Sequence, residues 1–256
     1  FIGTSRVCPW FCKVMRSAVT VYAFLSMRQS AQEEFMHHVT RHRPGLPVGI
    51  LLAAGLGSRF DPAGLRNKLT EPLPAGPSRG LPVAFVAARR MRAALPRVIA
   101  VVRPGEPGSI HSSTLRKVLA DAGCEVIVSS DAERGMGAAL AAAVRASADA
   151  PGWLVALADM PAIAPATIED LATALSGPDA ARDLIVAPFF QGQRGHPVGF
   201  GPDHGSALAR LDGDEGARSL LAAFPILRLD TLDAGVIRDI DTPHDLSALG
   251  NALAAP

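Results

Sequence analysis

The 256-residue chain is 48% hydrophobic and 19% charged, which excludes a disordered polymer and supports one large core, so one domain is expected. Its formal net charge of +1 excludes a basic field for wrapping nucleic acid, while a local cationic pocket remains open to it. No apolar run approaches the ~20 residues of a membrane helix, so no membrane partner is expected.

Residues 1–46 differ from the rest and are expected to form an N-terminal arm outside the domain, which is placed at 47–256. The chain opens with Phe1, and Met27 and Met36 are candidate starts. Ser17 to Leu25 follows Lys13 and Arg16 in the manner of a secretory signal. It is short, however, and no small-residue cleavage site follows. His37, His38 and His42 read as a polar linker leading to Pro44 rather than as a metal site. Three cysteines, Cys8, Cys12 and Cys124, are too few and too uneven for a disulfide framework. Cys8 and Cys12 have neither zinc-knuckle nor thioredoxin spacing. The expected compartment is the cytoplasm.

From Val48 onward, apolar runs alternate with helical patterns. VGILLA (48–53), VIAVVR (98–103), EVIVS (125–129), WLVALA (153–158) and LIVAPFF (184–190) are continuous, as strands buried on both faces are. Helices are expected over Leu81–Leu95 and Met136–Ala148. A third carries Ile168, Leu171 and Leu175 on one stripe, opening at Pro165 and closing at Gly177-Pro178. Gln191 to Gly195 is expected at a hairpin tip, Val236 to Ile240 as a short strand, and Ala217 to Ala223 as a helix that Asp214 could cap. Alternation of this kind predicts a mainly parallel sheet with helices on both sides, whose ligands sit at the carboxyl ends of the strands.

Three stretches carry chemistry. In GILLAAGLGSRFDPAGLRNKL (49–69), the strand ends near Ala53 and the loop holding Gly55, Gly57, Ser58 and Arg59 falls at the carboxyl edge. Glycines there let backbone N–H groups approach phosphate oxygens, and Arg59 and Lys68 add charge. Phe60 breaks the dinucleotide fingerprint, and the Gly-Lys-Ser/Thr of a Walker loop is missing. A tight turn with two solvated cations is the plainer alternative. In ALADMP, Asp159 directly follows a strand, where a carboxylate can bind a hard cation or simply shape a turn before Pro161. In IRDIDTPHDL, Thr242 suits an N-cap and Pro243 the first helical position. Of Asp239 and Asp241, the second, at the strand-to-helix corner, is the one placed to meet Asp159. Two carboxylates and two cations at one sheet edge point to a Mg²⁺–nucleoside triphosphate site.

LAAGLGSRF…NKL, LADMP, GQRGHPVGF, GDEGAR and DIDTPHDL occur in the order found in MobA-like nucleotidyltransferases, which the chain resembles from about Pro47 to Leu253, most closely in the molybdenum cofactor cytidylyltransferase branch. The resemblance implies a three-layer α/β/α Rossmann-like nucleotidyltransferase fold with a mainly parallel mixed sheet. It implies that Leu52, Ala53, Ala54 and Gly55 line the nucleotide, that Arg59 and Lys68 hold the triphosphate, and that Asp159 and Asp241 bind Mg²⁺. SSDAERGMGAAL matches the segment against base and ribose, making Ser130, Gly135 and Gly137 candidates. Ala139 stands there where relatives often carry serine. Arg194, Gly195 and His196 look like the acceptor side, although His196 could equally satisfy only its own loop.

The implied reaction moves a nucleotidyl group from a triphosphate to a phosphorylated pterin-like acceptor and releases pyrophosphate, with a molybdoenzyme as the receiver of the product. The Ala-Ala-Gly loop resembles cytidylyl members more than guanylyl members, which favours CTP. The rival readings are a guanylyl- or sugar-phosphate nucleotidyltransferase and a non-catalytic nucleotide- or pterin-binding delivery chaperone.

Overall fold

The protein is described here by a computed structural model covering residues 45–105 and 110–254; the expectations for Cys8, Cys12, the signal-like stretch and the three arm histidines lie outside these residues. Strand β1 (Val48–Leu52) is buried along its whole length and becomes the middle of the sheet. β2 (Val98–Val102) pairs with it in parallel, Gly49 opposite Val98, and β3 (Glu125–Val128) extends that side. β4 (Trp153–Leu157) pairs in parallel on the other side, Val48 opposite Trp153 and Leu52 opposite Leu157. The carboxyl ends of β1, β2 and β4 therefore open on the same edge.

Beyond β4 the sheet becomes mixed. β5 (Ile185–Phe190) and β6 (Gln193–Arg194) form a hairpin, and β7 (Val198–Phe200) lies antiparallel between β4 and β5. β8 (Ile226–Asp230) pairs with β5 in parallel. The hairpin tip is Gln191-Gly192, both at positive φ (49° and 83°), the geometry that a two-residue turn between twisted strands requires.

Helices α1 (Val83–Ala94), α2 (Ile110–Asp121) and α4 (Pro165–Ser176) cover one face, burying Met91, Leu119, Leu171 and Leu175 against Leu51 and Leu154. α3 (Met136–Arg145), α5 (Gly205–Leu208) and α6 (Arg218–Ala223) cover the other, where Leu140, Val144 and Leu208 meet Ile50, Ile99 and Phe200. Ile50, Leu51, Ile99 and Leu154 are fully buried, and each such side chain contributes about 1.5–3 kcal/mol over an exposed one. Gly49 is dictated by this packing, because a Cβ there would lie 2.9 Å from both the Leu95 and Met91 side chains. Among the described residues no helix is long and apolar enough to cross a membrane.

A third, smaller cluster fixes the edge that matters for function. Leu246 and Leu249 of α7 (Pro243–Ala254) pack with Phe60, Leu73, Val83, Val86 and Ile240. Phe60 follows Arg59, and Ile240 precedes Asp241, so one apolar contact holds two of the predicted site residues near each other.

The expected strand over Val236–Ile240 does not form. Residues Ala234–Ile237 make a 3-10 turn, because the Asp233 carboxylate accepts the Gly235 N–H at 2.9 Å and curls the chain. Gly235 then lies so close to the Ala162 carbonyl that a Cβ would meet it at 2.3 Å. α6 starts at Arg218 with Ala217 in the cap position and no side-chain cap, so Asp214 is not its cap. The helices expected over Leu81–Leu95 and Met136–Ala148 are shorter at their ends.

Candidate active site

After β1 the chain runs as a series of turns, with no helix before α1. Gly57 takes φ 65° and its carbonyl accepts the Phe60 and Asp61 N–H groups. The Asp61 carboxylate accepts the N–H of Ala63 (3.1 Å) and Arg66 (2.7 Å), and the Asn67 side chain accepts that of Leu69. Phe60 and Leu69 anchor the two ends of the loop in apolar clusters. Lys68 is thereby turned inward, only 7% exposed.

Its ammonium donates to Asp159 Oδ2 at 2.6 Å and to Asp241 Oδ1 at 3.0 Å, and Arg59 Nη1 lies 2.6 Å from Asp241 Oδ2. Burial works against the charge on Lys68. The field and hydrogen bond of Asp159, with those of Asp241, outweigh it and hold the pKa above the ordinary lysine value. Asp159 Oδ1 is buried and without a hydrogen-bond partner. All four residues come together from three separate stretches of sequence.

Asp241 is set by two devices. Thr242 and Asp245 form a capping box at the start of α7: Asp245 Oδ2 accepts from the N–H groups of Asp241 and Thr242, and the Asp245 N–H donates back to Thr242 Oγ1. The Ile240 N–H donates to the Asp159 carbonyl at 3.0 Å, tying the two aspartate segments directly. Upstream, Asp233 Oδ2 accepts from Ala164 N–H (2.7 Å) and Thr167 Oγ1 (2.9 Å), fastening the same strap to the start of α4. Asp239 is exposed and lines a separate hollow with Arg238 and Asp245. Partial burial of its carboxyl, then the charges of Asp241 and Asp159, raise its pKa.

Two cavities open beside this cluster. The first, about 260 Å³, is lined by Leu52, Ala54, Gly55, Lys68, Gly135 and Asp159, with Arg103 and Ala139. The second, about 300 Å³, is lined by Arg194, Gly195 and His196 together with Asp214, Glu215 and Arg218. They share Leu52, Met136, Leu157 and Asp214 as a common wall. Gly135 makes this possible: at φ 131° it lies where a Cβ would meet Asp214 Oδ1 at 2.3 Å. Gly137 lies behind the wall, its N–H donating to the Gly213 carbonyl at 2.7 Å. Ala53 faces a further hollow on the far side of the loop, and Gly57 packs beside the Lys68 stem. Ser58 and Ser130 are exposed and line neither cavity. His196 rests its ring near the Val155 carbonyl, and burial pushes its pKa below the ordinary value.

Residues 49–231 match the MobA-like NTP transferase domain. The chain belongs to this family. The MobA-like sheet described above is the Rossmann-like nucleotidyltransferase fold, and the activity of the family is nucleotidyl transfer. Rv0371c from Mycobacterium tuberculosis H37Rv is similar at 28% identity, over 80% of this chain and 98% of that one, with a TM-score of 0.62. A manganese complex of the same protein matches at 25% identity, over 81% and 98%, with a TM-score of 0.60. The molybdopterin-guanine dinucleotide biosynthesis protein A of Archaeoglobus fulgidus shares the fold at 17% identity, over 80% and 97%, with a TM-score of 0.54. No curated protein matches.

Three residues of this MobA-like site escaped the sequence reading. Arg103 ends the β2 run at the carboxyl edge and donates to the Ala54 carbonyl, bracing the first loop from below. A cation at that position was the available signal, of the kind that singled out Lys68. Asp233 and Asp245 act through backbone groups of residues distant in sequence or hidden in a turn, and only the Thr-x-x-Asp spacing marked the second.

Proposed function

We propose that the protein transfers a cytidylyl group from CTP to a phosphorylated pterin-like acceptor, the molybdenum cofactor, releasing pyrophosphate and passing the product to a molybdoenzyme. The observation that carries this reading is the pair of cavities divided by one wall, with the Lys68–Asp159–Asp241–Arg59 cluster at the edge of the first. Nucleotide would occupy the first cavity and acceptor the second. The Ala53-Ala54-Gly55 form of the loop supports CTP over GTP.

Asp159 and Asp241 would hold a divalent cation, Mg²⁺ in this reading. The residues fit it: Asp159 Oδ1 is buried with its lone pairs unused, and both carboxylates are already drawn to one positive centre. Among the described residues no cluster of three His, Cys, Asp or Glu side chains offers a metal cage. Two carboxylates alone suit an ion whose remaining ligands are phosphates and water. The manganese complex of Rv0371c supports a divalent ion in this fold. When bound, the ion would neutralise charge on the triphosphate.

The chain's own residues supply position and electrostatics. Lys68, whose charged form its two aspartates favour against burial, would meet triphosphate oxygens as they enter the first cavity. Arg59, exposed and joined to Asp241, would anchor the far end of the triphosphate. An acceptor phosphate oxygen attacks the α-phosphorus in line as the bond to pyrophosphate breaks. The attacking group is already anionic, so no general base is required. Pyrophosphate release measured with each of the four triphosphates, with and without molybdenum cofactor, tests this. Release with CTP and cofactor is expected; preference for GTP, or release independent of the cofactor, contradicts it.

A further inference from the structure

The last strand leaves one edge of the sheet open. β8 pairs with β5 on one side, and among the described residues no strand pairs with its other side. The Thr231 N–H donates to the Phe189 carbonyl at 2.9 Å, so Thr231, Leu229 and Leu227 turn their backbone groups toward β5. Alternation along the strand then points the N–H and C=O groups of Ile226, Arg228 and Asp230 away from the sheet. An edge of this kind is a template for another strand unless proline, a bulge or repelling charge defends it. β8 (ILRLD) contains no proline, its register with β5 runs unbroken, and its two charges are of opposite sign.

The side chains along this edge fit a second copy of themselves. Arg228 and Asp230 share one face of the strand, where the Arg228 guanidinium lies 4.7 Å from the Phe189 ring centroid and both side chains are largely in solvent. Laid antiparallel against its own copy, β8 has few registers available, and charge separates them. A two-fold axis through Arg228 sets that arginine against itself, and one through Asp230 sets that aspartate against itself. Like charges directly opposite are destabilising. An axis through Leu227 sets the two charges against Ile226 and Phe224. An axis through Leu229 sets Arg228 opposite Asp230 of the second copy, and symmetry repeats the pair.

In that last register the residues whose backbone groups point outward face one another, which is the hydrogen-bonded pairing of an antiparallel ladder. Backbone and charge therefore select the same alignment. Leu229 meets its own copy, Leu227 faces Thr231, and Ile226 faces Leu232. Leu232 is 97% exposed in the single chain, and Leu227 also stands in solvent, so the pairing would cover apolar surface that nothing else among the described residues covers.

We propose that β8 pairs antiparallel with β8 of a second copy of this chain, about a two-fold axis at Leu229, and so joins two sheets into one. The same patch is used on both copies, so the assembly closes as a dimer. No residue of β8 lines either cavity, and each copy keeps its own site open.

Sedimentation velocity of the full chain at tens of micromolar tests this. The wild type should sediment as a dimer of the 26.7 kDa chain. Arg228→Asp sets carboxylates opposite one another and Asp230→Arg sets guanidiniums opposite one another, so each should raise the dimer dissociation constant at least ~10-fold. Mixed in equal amounts, the two variants present opposite charges at every facing position and should dimerise again, which also shows that both are folded. A monomeric wild type, the result expected if another segment of the chain covers β8, overturns the proposal. So does a dimer that Arg228→Asp leaves intact, which places the interface elsewhere. A mixture that stays monomeric overturns the register and the proposal with it.

Discussion

The two halves of the sheet are built differently, and the proposed function gives them different tasks. In β3-β2-β1-β4 every strand is parallel, and the three inner ones are apolar from end to end and buried on both faces. Their loops at one edge supply Gly55, Lys68, Arg103 and Asp159. In β7-β5-β6 with β8, strands are as short as two residues, parallel and antiparallel pairings are mixed, and the outer strand β8 is half exposed. That half supplies Arg194 and His196 from the hairpin and the strand return, and Arg218 from the start of α6. A long parallel strand fixes a loop at one position, which suits a triphosphate that must be held alike in every turnover. Short strands and loops leave a wall that sequence change can reshape, which suits a variable acceptor. Asp241 belongs to neither half. It arrives after the last strand, and the Asp233 strap and the α7 capping box fix it against Asp159.

The largest effects should come from breaking the junction. Asp159→Asn and Asp241→Asn should each take turnover below detection while the protein still melts cooperatively, because each removes a proposed anionic metal ligand at the sheet edge and no core contact. Wild-type rate in Asp241→Asn would transfer the role to Asp239. Within the parallel half, Lys68→Met keeps the apolar stem and removes the ammonium, and a fall in kcat of at least ~100-fold is expected, the scale of losing one preorganised electrostatic donor. Arg59→Met, at an exposed position, should place more of its loss in KM for the nucleotide, separable by steady-state kinetics.

Asp233→Asn sharpens the comparison from the strap. The amide cannot accept at both former carboxylate oxygens, so urea unfolding should show a loss of about 1–3 kcal/mol. The metal concentration for half-maximal activity should rise with it, since Asp241 loses part of its support. A stability loss with an unchanged metal requirement would separate the strap from the site.

The smallest effect lies beside β3. Burial pushes the Cys124 thiol from an ordinary 9.0 up to about 11. The unfolded chain therefore loses this proton first as pH rises, so the contribution of Cys124 to stability is constant below about pH 9 and is lost through about pH 11. Activity near neutrality should be untouched, and mass spectrometry should find the Cys124 peptide unalkylated by iodoacetamide at pH 8 in the native protein. Rapid labelling would show that this edge opens.

The parallel half was legible in the sequence because its strands are continuous apolar runs; four of the five runs form them, and the fifth forms β5 of the mixed half. The rest of the mixed half was not legible. VGF and QR are too short to show a period, and ILRLD exposes three of its five residues. Val236–Ile240 looked like a strand because three of its five residues are β-branched and apolar, but the Asp233 carboxylate and the fit of Gly235 against Ala162 turn it instead. Of the site, Asp159 and Asp241 could be named from residue type at the end of a strand or the start of a helix, and Lys68 as a cation after the glycine loop. Arg103 carried the same signal. That Gly135 abuts Asp214, and that one wall serves both cavities, depends on contacts between residues about eighty positions apart, which no local pattern records.

The central claim is that a carboxylate from the parallel half and one from the strap after the sheet share a divalent ion together with the nucleotide. Manganese binding followed by electron paramagnetic resonance, with and without CTP, tests it most directly. The wild type should bind Mn²⁺ weakly alone and more tightly with CTP, and Asp159→Asn and Asp241→Asn should each lose the CTP-dependent binding. CTP-dependent Mn²⁺ affinity that survives intact in either variant would contradict the account.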